Sequence, residues 1–171
     1  MRSRQEFSEN LLYEFTFCDT MFSETEVLFM NLILPDYDQI PNVGLYLEQV
    51  TKYLNDYLEP MGCAPLTGSM VSNYVKKGLV RNPVKKQYDR EHLARLLVIA
   101  VGKTVLSLED IALLLESHPQ GREGYEAFCG MLTGTLREVF AKQPGPLLQD
   151  TLTAVAHKLY LEAQLREADK C

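Results

Sequence analysis

The chain has 171 residues, of which 46% are hydrophobic, and a formal net charge of −6. A chain of this size can bury a substantial core and fits one domain, or a small module within a helical frame. Its longest apolar run, LLVIAV at residues 96–101, is far shorter than the roughly 20 residues of a membrane-spanning helix, so we expect no membrane segment. Because the N-terminal residues lack the features of a signal peptide, we also expect a cytoplasmic location.

Side chains that could carry catalysis or bind a metal are scattered along the chain. The cysteines lie far apart without a C-x-x-C pair, so the sequence predicts reduced thiols rather than a disulfide framework or a zinc site. The histidines have no partner at a catalytic spacing, and residues 102–104 lack the upstream glycine of a phosphate-binding loop. We therefore predict no enzyme, no catalytic residue, no metal site and no cofactor. The residues considered are Cys18, Cys63, Cys129, Cys171, His92, His118 and His157.

Hydrophobic spacing predicts a mainly α-helical protein. Apolar residues at helical intervals indicate one or two helices over residues 5–34, which Pro35 ends. The following segment, PDYDQIPNVG, is typical of a loop. From Leu45 a second apolar face predicts a helix that Pro60 and Gly62 end. The inward residues of these helices are Phe7, Leu11, Leu12, Phe15 and Phe22, then Leu47, Val50, Leu54 and Leu58.

The middle of the chain carries three helix-capping signals. Thr67 is expected to cap a short helix that Gly78 ends, Asp89 the next helix, and Ser107 a third, with an acidic residue three positions later. Between the first two of these helices, LVRNPVKKQYD mixes proline, β-branched and basic residues, which predicts an extended segment or a tight hairpin. The predicted inward residues are Val71, Tyr74 and Val75, then Leu93, Leu96, Leu97 and Ala100, then Leu108, Ile111, Ala112 and Leu115.

Residues 119–171 predict two further helices, separated by KQPGP at residues 142–146. In the second helix four apolar residues alternate at intervals of four and three, which forms a seam suited to a partner helix. The partner can belong to the core of the same chain or to a second copy, and the sequence leaves both open. The seam residues are Leu148, Leu152, Val155 and Leu159.

A basic segment interrupts this otherwise acidic chain. Between Leu66 and Arg95 seven basic residues face two acidic ones, which gives +5 in the segment and leaves −11 for the remainder. If the apolar residues of the first helix face the core, its polar and basic residues lie outward, where they can contact phosphates and base edges. The small residues Thr67, Gly68 and Ser69 leave the helix N-terminus open to a phosphate. A merely solvated surface is the alternative.

The arrangement of this segment resembles the winged helix-turn-helix of MerR-type transcription regulators. The resemblance rests on Tyr74, the lysine pair with Gly78 and Leu79, Pro83 in a basic turn, Tyr88, and a helix carrying L-x-x-L. The later LSLEDIALLL also looks like a segment of that family. The resemblance implies that the first helix reads DNA and that the turn contacts its backbone. The preceding helix is acidic and the turn is shorter than the family's wing.

A more specific resemblance, over more of the chain, is to an uncharacterised bacterial family, the domain of unknown function numbered eighteen thirty-six. The family's LYxxQV, LTxxMxxNYVKxGL and KKxYxxxHLARL segments are matched at residues 45–50, 66–79 and 85–96. This resemblance implies a bacterial cytoplasmic protein and brings no established activity.

These observations predict an all-α fold containing a MerR-like winged helix-turn-helix with a small β-hairpin wing. Residues 1–40 would form N-terminal helices packed on the C-terminal bundle, residues 41–116 the winged helix-turn-helix, and residues 117–171 a dimerisation or effector region. The expected function is transcription regulation by a homodimer that binds double-stranded DNA, with a small-molecule effector as a further option. The alternative is a protein-interaction module in which a degenerate winged helix docks an acidic protein or an acidic helix of another subunit. The predicted DNA-binding residues are Thr67, Ser69, Ser72, Asn73, Tyr74, Lys76, Lys77, Arg81, Lys85 and Lys86.

Overall fold

A computed structural model describes residues 32–142 and 145–168 of the chain. In these ranges it contains six α-helices, and a single 3-10 turn at Tyr37–Gln39 precedes them. The mainly helical fold is therefore confirmed for the described residues, whereas the helices predicted between residues 5 and 31 lie outside them. The helices are α1 (Leu47–Leu58), α2 (Gly68–Lys76), α3 (Arg90–Gly102), α4 (Leu108–Glu116), α5 (Gly121–Phe140) and α6 (Leu147–Ala168).

Helix α2 begins and ends where its sequence signals predict. The Thr67 hydroxyl accepts a hydrogen bond from the Met70 backbone N–H at 3.3 Å, which satisfies one of the free donors of the first turn. At the other end Gly78 adopts a φ of 76°, a left-handed conformation that favours glycine. The N–H groups of Gly78 and Leu79 then bond back to carbonyls in the last turn, both at 3.0 Å. This closure is the Schellman motif, and it fixes the direction in which the chain leaves α2.

Helices α3 and α4 also start at their predicted caps. The Asp89 carboxylate accepts from the backbone N–H of His92 at 3.2 Å, and the Ser107 hydroxyl accepts from that of Asp110 at 3.1 Å. Each cap of this kind stabilises its helix by about 1 kcal/mol. Because these signals are local in sequence, the helix starts could be predicted without knowledge of the tertiary structure.

Helix α3 is the centre of the core. It packs against α1 on one side and α5 on the other, while α2 packs against α1. Most of its side chains are buried, and four apolar ones are fully buried, each contributing about 1.5–3 kcal/mol through removal from water. These four are Leu93, Leu96, Leu97 and Ile99. The first two turns of α5 complete the core, where the Tyr125 hydroxyl donates to the Pro35 carbonyl at 2.8 Å.

The predicted β-hairpin wing is not formed. Residues 79–89 contain a tight turn closed by one hydrogen bond, from the Gln87 N–H to the Val84 carbonyl at 2.9 Å, and no strand is present among the described residues. Tyr88 pairs instead with Leu45, ahead of α1, through two backbone hydrogen bonds of 2.8 and 2.9 Å. The next hydrogen-bonded pair of the hairpin would need the Asp89 N–H, but Asp89 already caps α3 and its N–H points at the His92 ring, 3.1 Å from Nδ1. Pairing between the two arms of the turn therefore ends after Val84 and Gln87.

Helix α6 is the most exposed helix that the structure describes. It contacts α4, and Leu161 and Leu165 near its C-terminal end pack against the core. The four residues of the predicted seam remain between 49% and 69% exposed, so they do not form part of the core described here. No helix among the described residues has the length and apolarity to cross a bilayer.

Candidate nucleic-acid interface

Nine of the ten predicted DNA-binding residues are exposed, on α2 and on the chain that follows it. They are Thr67, Ser69, Ser72, Asn73, Lys76, Lys77, Arg81, Lys85 and Lys86, and we call them the basic face. Helix α2 itself contains no acidic residue. The basic face therefore presents hydroxyl, amide and cationic groups to solvent.

Tyr74 is the exception and does not belong to this interface. Its side chain is 2% exposed and packs in the core, as the helical spacing predicted. Burial also raises the pKa of its hydroxyl. Its inclusion among the DNA-binding residues was wrong, because the same face of α2 cannot both anchor the helix and reach a ligand.

Three lysines of the basic face, Lys76, Lys85 and Lys86, form no ion pair within residues 32–142 and 145–168. These three are the cations most directly available to an anionic partner. They lie at the C-terminal end of α2 and in the turn beyond it.

The other two cations of the basic face already bind carboxylates. Lys77 Nζ lies 2.7 Å from Glu109 Oε1. Arg81 pairs with Asp89 and, at 3.1 Å, with Glu91. All of these side chains are substantially exposed, and surface pairs of this kind contribute only about 0–1 kcal/mol. Lys77 and Arg81 can therefore leave these carboxylates for another anion at a small cost in free energy.

The two remaining cations of the basic segment, Arg90 and Arg95, donate hydrogen bonds to backbone carbonyls. Arg90 Nε donates to the Ile40 carbonyl at 2.8 Å, and its guanidinium pairs with Asp38 at 3.2 Å. Arg95 Nε donates to the Leu79 carbonyl at 3.1 Å. The charge of +5 read from the sequence thus overstates the charge that this surface offers to a partner.

The turn at Lys85 and Lys86 has a backbone conformation that lysine rarely adopts. Their φ angles are 50° and 63°, so both residues lie in the left-handed region. A two-residue turn with both φ values positive is type I′, which normally contains Asn-Gly. Each non-glycine residue in this region costs about 1–2 kcal/mol. Two lysines at such a turn are an outlier that points to a role for their side chains.

The carboxylates around the basic face are held in their charged form. A hydrogen bond from Lys77 keeps the pKa of Glu109 below its usual value. Partial burial raises the pKa of Asp89, but hydrogen bonds with His92 and the charge of Arg81 together outweigh burial and lower it. These acids therefore remain anionic at neutral pH and compete with any anionic ligand for Lys77 and Arg81.

Residues 35–128, more than half of the chain, match the model of a family described as a domain of unknown function, DUF1836. The chain belongs to the DUF1836 family. The DUF1836 match includes α1 to α4 and the first turns of α5, and therefore the whole basic face, and it ends before α6. None of the curated proteins compared with the chain matches it, and none of the solved structures does.

Sequence reasoning missed the acidic partners of the basic face in this DUF1836 protein. Asp89 and Glu109 are recognisable as residues at helix N-termini, where negative charge is favoured. Their second contacts, with Arg81 and Lys77, span 8 and 32 residues of sequence and depend on how the helices pack. No spacing rule predicts such pairs. Among the described residues, no cluster of three side chains is arranged to hold a metal ion.

Proposed function

We propose that this protein binds duplex DNA through the basic face and regulates transcription in the cytoplasm as a homodimer. The observation that carries the proposal is the strained turn that holds Lys85 and Lys86 outward, directly after a polar helix without acidic residues. Lysines in this conformation cost stability, and phosphate binding supplies a reason to keep them there. The order of helix, basic turn and helix is also that of the MerR-type resemblance.

In this proposal α2 enters the major groove. A helix with its side chains is about 10–12 Å wide, close to the groove's width of about 12 Å. Ser72 and Asn73 are exposed in the middle of α2 and carry the donors and acceptors that base edges require. Lys76, Lys85 and Lys86 would bind phosphates on either side, which fixes the register without reading sequence.

The number of phosphate contacts supports binding of DNA by a dimer of the chain. Three unpaired lysines, with Lys77 and Arg81 after partner exchange, give up to five contacts for each chain. Five contacts predict a slope of about −4.5 in log K against log salt, which corresponds to weak binding at physiological salt. A two-fold dimer doubles that number. The exposed seam of α6, with its intervals of four and three, supports self-association at a site separate from the basic face.

The proposal is tested by replacing Lys76, Lys85 and Lys86 together with alanine. Binding to a random-sequence duplex would be followed by fluorescence anisotropy over a series of salt concentrations. We expect weaker binding and a salt slope reduced in magnitude by about 2.7, or 0.9 for each phosphate contact. Replacing Lys52, Lys103 and Lys142 together with alanine removes the same three charges at exposed lysines outside the basic face and serves as the control. Equal affinity and slope in the triple variant and the wild type would refute the proposal.

A second function, docking of an acidic protein, is favoured by one observation. Lys77 and Arg81 already bind carboxylates, so the basic face is chemically suited to an acidic peptide. Poly-glutamate provides the discriminating ligand in the same anisotropy experiment. Retention of poly-glutamate together with no measurable DNA binding would favour the interaction module. Preference for duplex DNA at equal charge concentration would favour the regulator.

A further inference from the structure

A cleft of about 480 Å³ opens between α3, the start of α5 and the segment that leaves α2. This volume lies within the range of about 300–1,000 Å³ that is typical of small-molecule sites. Much of its wall is apolar, including Leu79, Val98 and Leu115, with Tyr125 beside them. The cleft lies apart from the nine residues of the basic face except for Arg81 at its edge. It therefore requires its own explanation.

One nitrogen of His92 is buried in the wall of this cleft without a partner. The side chain is 2% exposed, and no hydrogen bond satisfies its Nε2 atom in the described part of the chain. The opposite nitrogen, Nδ1, lies 2.7 Å from the Asp89 carboxylate, a contact that holds the ring in place and needs a proton on Nδ1, so the ring presents Nε2–H when both nitrogens are protonated. An unsatisfied buried polar group costs about 1–3 kcal/mol. A ligand that accepts a hydrogen bond from Nε2–H removes this cost.

Arg95 adds a cation to the same wall. It lies three residues after His92 on α3, which puts the two side chains on one face of the helix. Its Nε is bonded to the Leu79 carbonyl, and no carboxylate pairs with its guanidinium among the described residues. Partial burial lowers its pKa, as expected for a cation that has lost water without gaining a counter-ion. The guanidinium is therefore able to accept an anion in the cleft.

The other polar groups of the cleft do not compete for this position. Glu91 lies at the edge of the cleft and pairs with Arg81 at 3.1 Å, so its carboxylate already has a cationic partner. His118 Nε2 lies 3.0 Å from the Gly124 carbonyl and is already bonded. Of the side-chain donors that line the cleft in the described residues, those without a partner are thus His92 Nε2, the terminal nitrogens of Arg95 and the exposed Gln120 amide.

We propose that this cleft binds a small organic carboxylate, with its carboxylate group on Arg95 and His92 and its apolar body against Leu79, Val98 and Leu115. A guanidinium and a carboxylate form two parallel hydrogen bonds, which fixes the orientation of the ligand. The apolar walls then select a hydrocarbon body over a polar one. This site is independent of DNA binding and remains testable if the basic face has another partner.

The experiment uses benzoate and hexanoate as probes, with benzamide and hexanamide as neutral controls of the same shape. The protein would be titrated with each probe up to about 10 mM and followed by two-dimensional amide NMR, because this range detects dissociation constants down to millimolar affinity. We expect the carboxylates to shift amide signals around His92, Arg95 and Leu115, and the amides to bind at least about tenfold more weakly. Equal binding of acid and amide, shifts centred elsewhere, or no binding of either carboxylate overturns the proposal.

A variant pair tests the assigned residues. Arg95→Gln is expected to weaken benzoate binding at least about tenfold, because it removes the charged, bidentate partner. Arg166→Gln, an exposed arginine near the end of α6, is expected to bind as the wild type does. His92→Asn provides the second test if Arg95→Gln does not fold: its shorter amide reaches only the Nδ1 position, so binding should weaken by loss of the Nε2 donor. Wild-type affinity in a folded Arg95→Gln or His92→Asn variant would also overturn the proposal.

Discussion

Lys77 Nζ lies 2.7 Å from Glu109 Oε1, and this contact links the last turn of α2 to the first turn of α4. The side chains are 44% and 72% exposed, so water screens the pair and it contributes little to stability. Glu109 is nevertheless in a position to withdraw one cation from the basic face. An anionic partner must displace it to use Lys77.

We predict that Glu109→Gln strengthens DNA binding. The change removes the competing charge and frees Lys77 for a phosphate, so affinity should rise about two- to fivefold at low salt, in line with the small energy of such pairs. The salt slope should change little, because Lys77 already counts among the five phosphate contacts of the wild type. Anisotropy titrations of the wild type and the variant measure both quantities. Glu116→Gln, which neutralises another exposed acid on α4, controls for net charge, and an equal gain in that control contradicts the specific competition.

Substitutions in the left-handed turn at Lys85 and Lys86 should affect the stability of the protein and its DNA binding differently. Replacing Lys85 and Lys86 with Asn and Gly supplies the residues that a type I′ turn favours, and should stabilise the protein by about 1 kcal/mol or more. The same change removes two phosphate-binding cations and should weaken DNA binding. Chemical denaturation measures the first effect and anisotropy the second.

The alanine pair Lys85→Ala and Lys86→Ala is the matched control for that variant. It removes the same charges but keeps side chains at positive φ, so it should bind DNA as weakly without gaining stability. Equal stability of the two variants would show that the turn is not strained.

Much of the helical fold could be predicted because its signals are local. Thr67, Asp89 and Ser107 each accept a hydrogen bond from a backbone N–H three residues later, and this pattern is visible in the sequence. Gly78 ends α2 for the same reason, since only its own φ angle is involved. The inward residues of α1 to α4 followed from helical spacing alone.

The features that define the candidate sites depend on tertiary packing and were not predicted. The wing was expected from the composition of residues 79–89, but Tyr88 pairs with Leu45 instead, a partner 43 positions away. The spacing of His92 and Arg95 puts both on one face of α3, but the cleft beside that face forms only because α5 returns to α3, which no local signal indicates. The spacing of the seam residues predicts that they share one face of α6, but it does not predict whether that face is buried.

We predict that the seam of α6 controls self-association. Leu152→Asp should convert a dimer into monomers, because the aspartate would be buried without a partner at the interface. The side chain is 54% exposed, so the fold of the single chain should change little. Light scattering after gel filtration measures the mass. Leu147→Asp, at an 83% exposed position outside the seam, is the control and should leave the mass unchanged. A wild-type mass equal to that of one chain at every concentration would contradict the prediction.

Asp89 should make stability depend on pH in the acidic range. Its carboxylate caps α3 and its pKa is lowered in the folded protein, so it binds protons less readily than in the unfolded chain, where the pKa is about 3.9. Its contribution is therefore present above about pH 4 and is lost as the pH falls through the folded pKa.

Asp89→Ala should cost about 1–2 kcal/mol at pH 7 and less at pH 3, measured by urea denaturation. Asp89→Asn keeps an accepting oxygen, so its stability at pH 7 should lie between those of the wild type and Asp89→Ala. Asp56→Ala, an exposed change on α1, should stay within about 0.5 kcal/mol of the wild type at both pH values. An Asp89→Ala deficit that is the same at pH 3 and pH 7 would contradict a role for the charge.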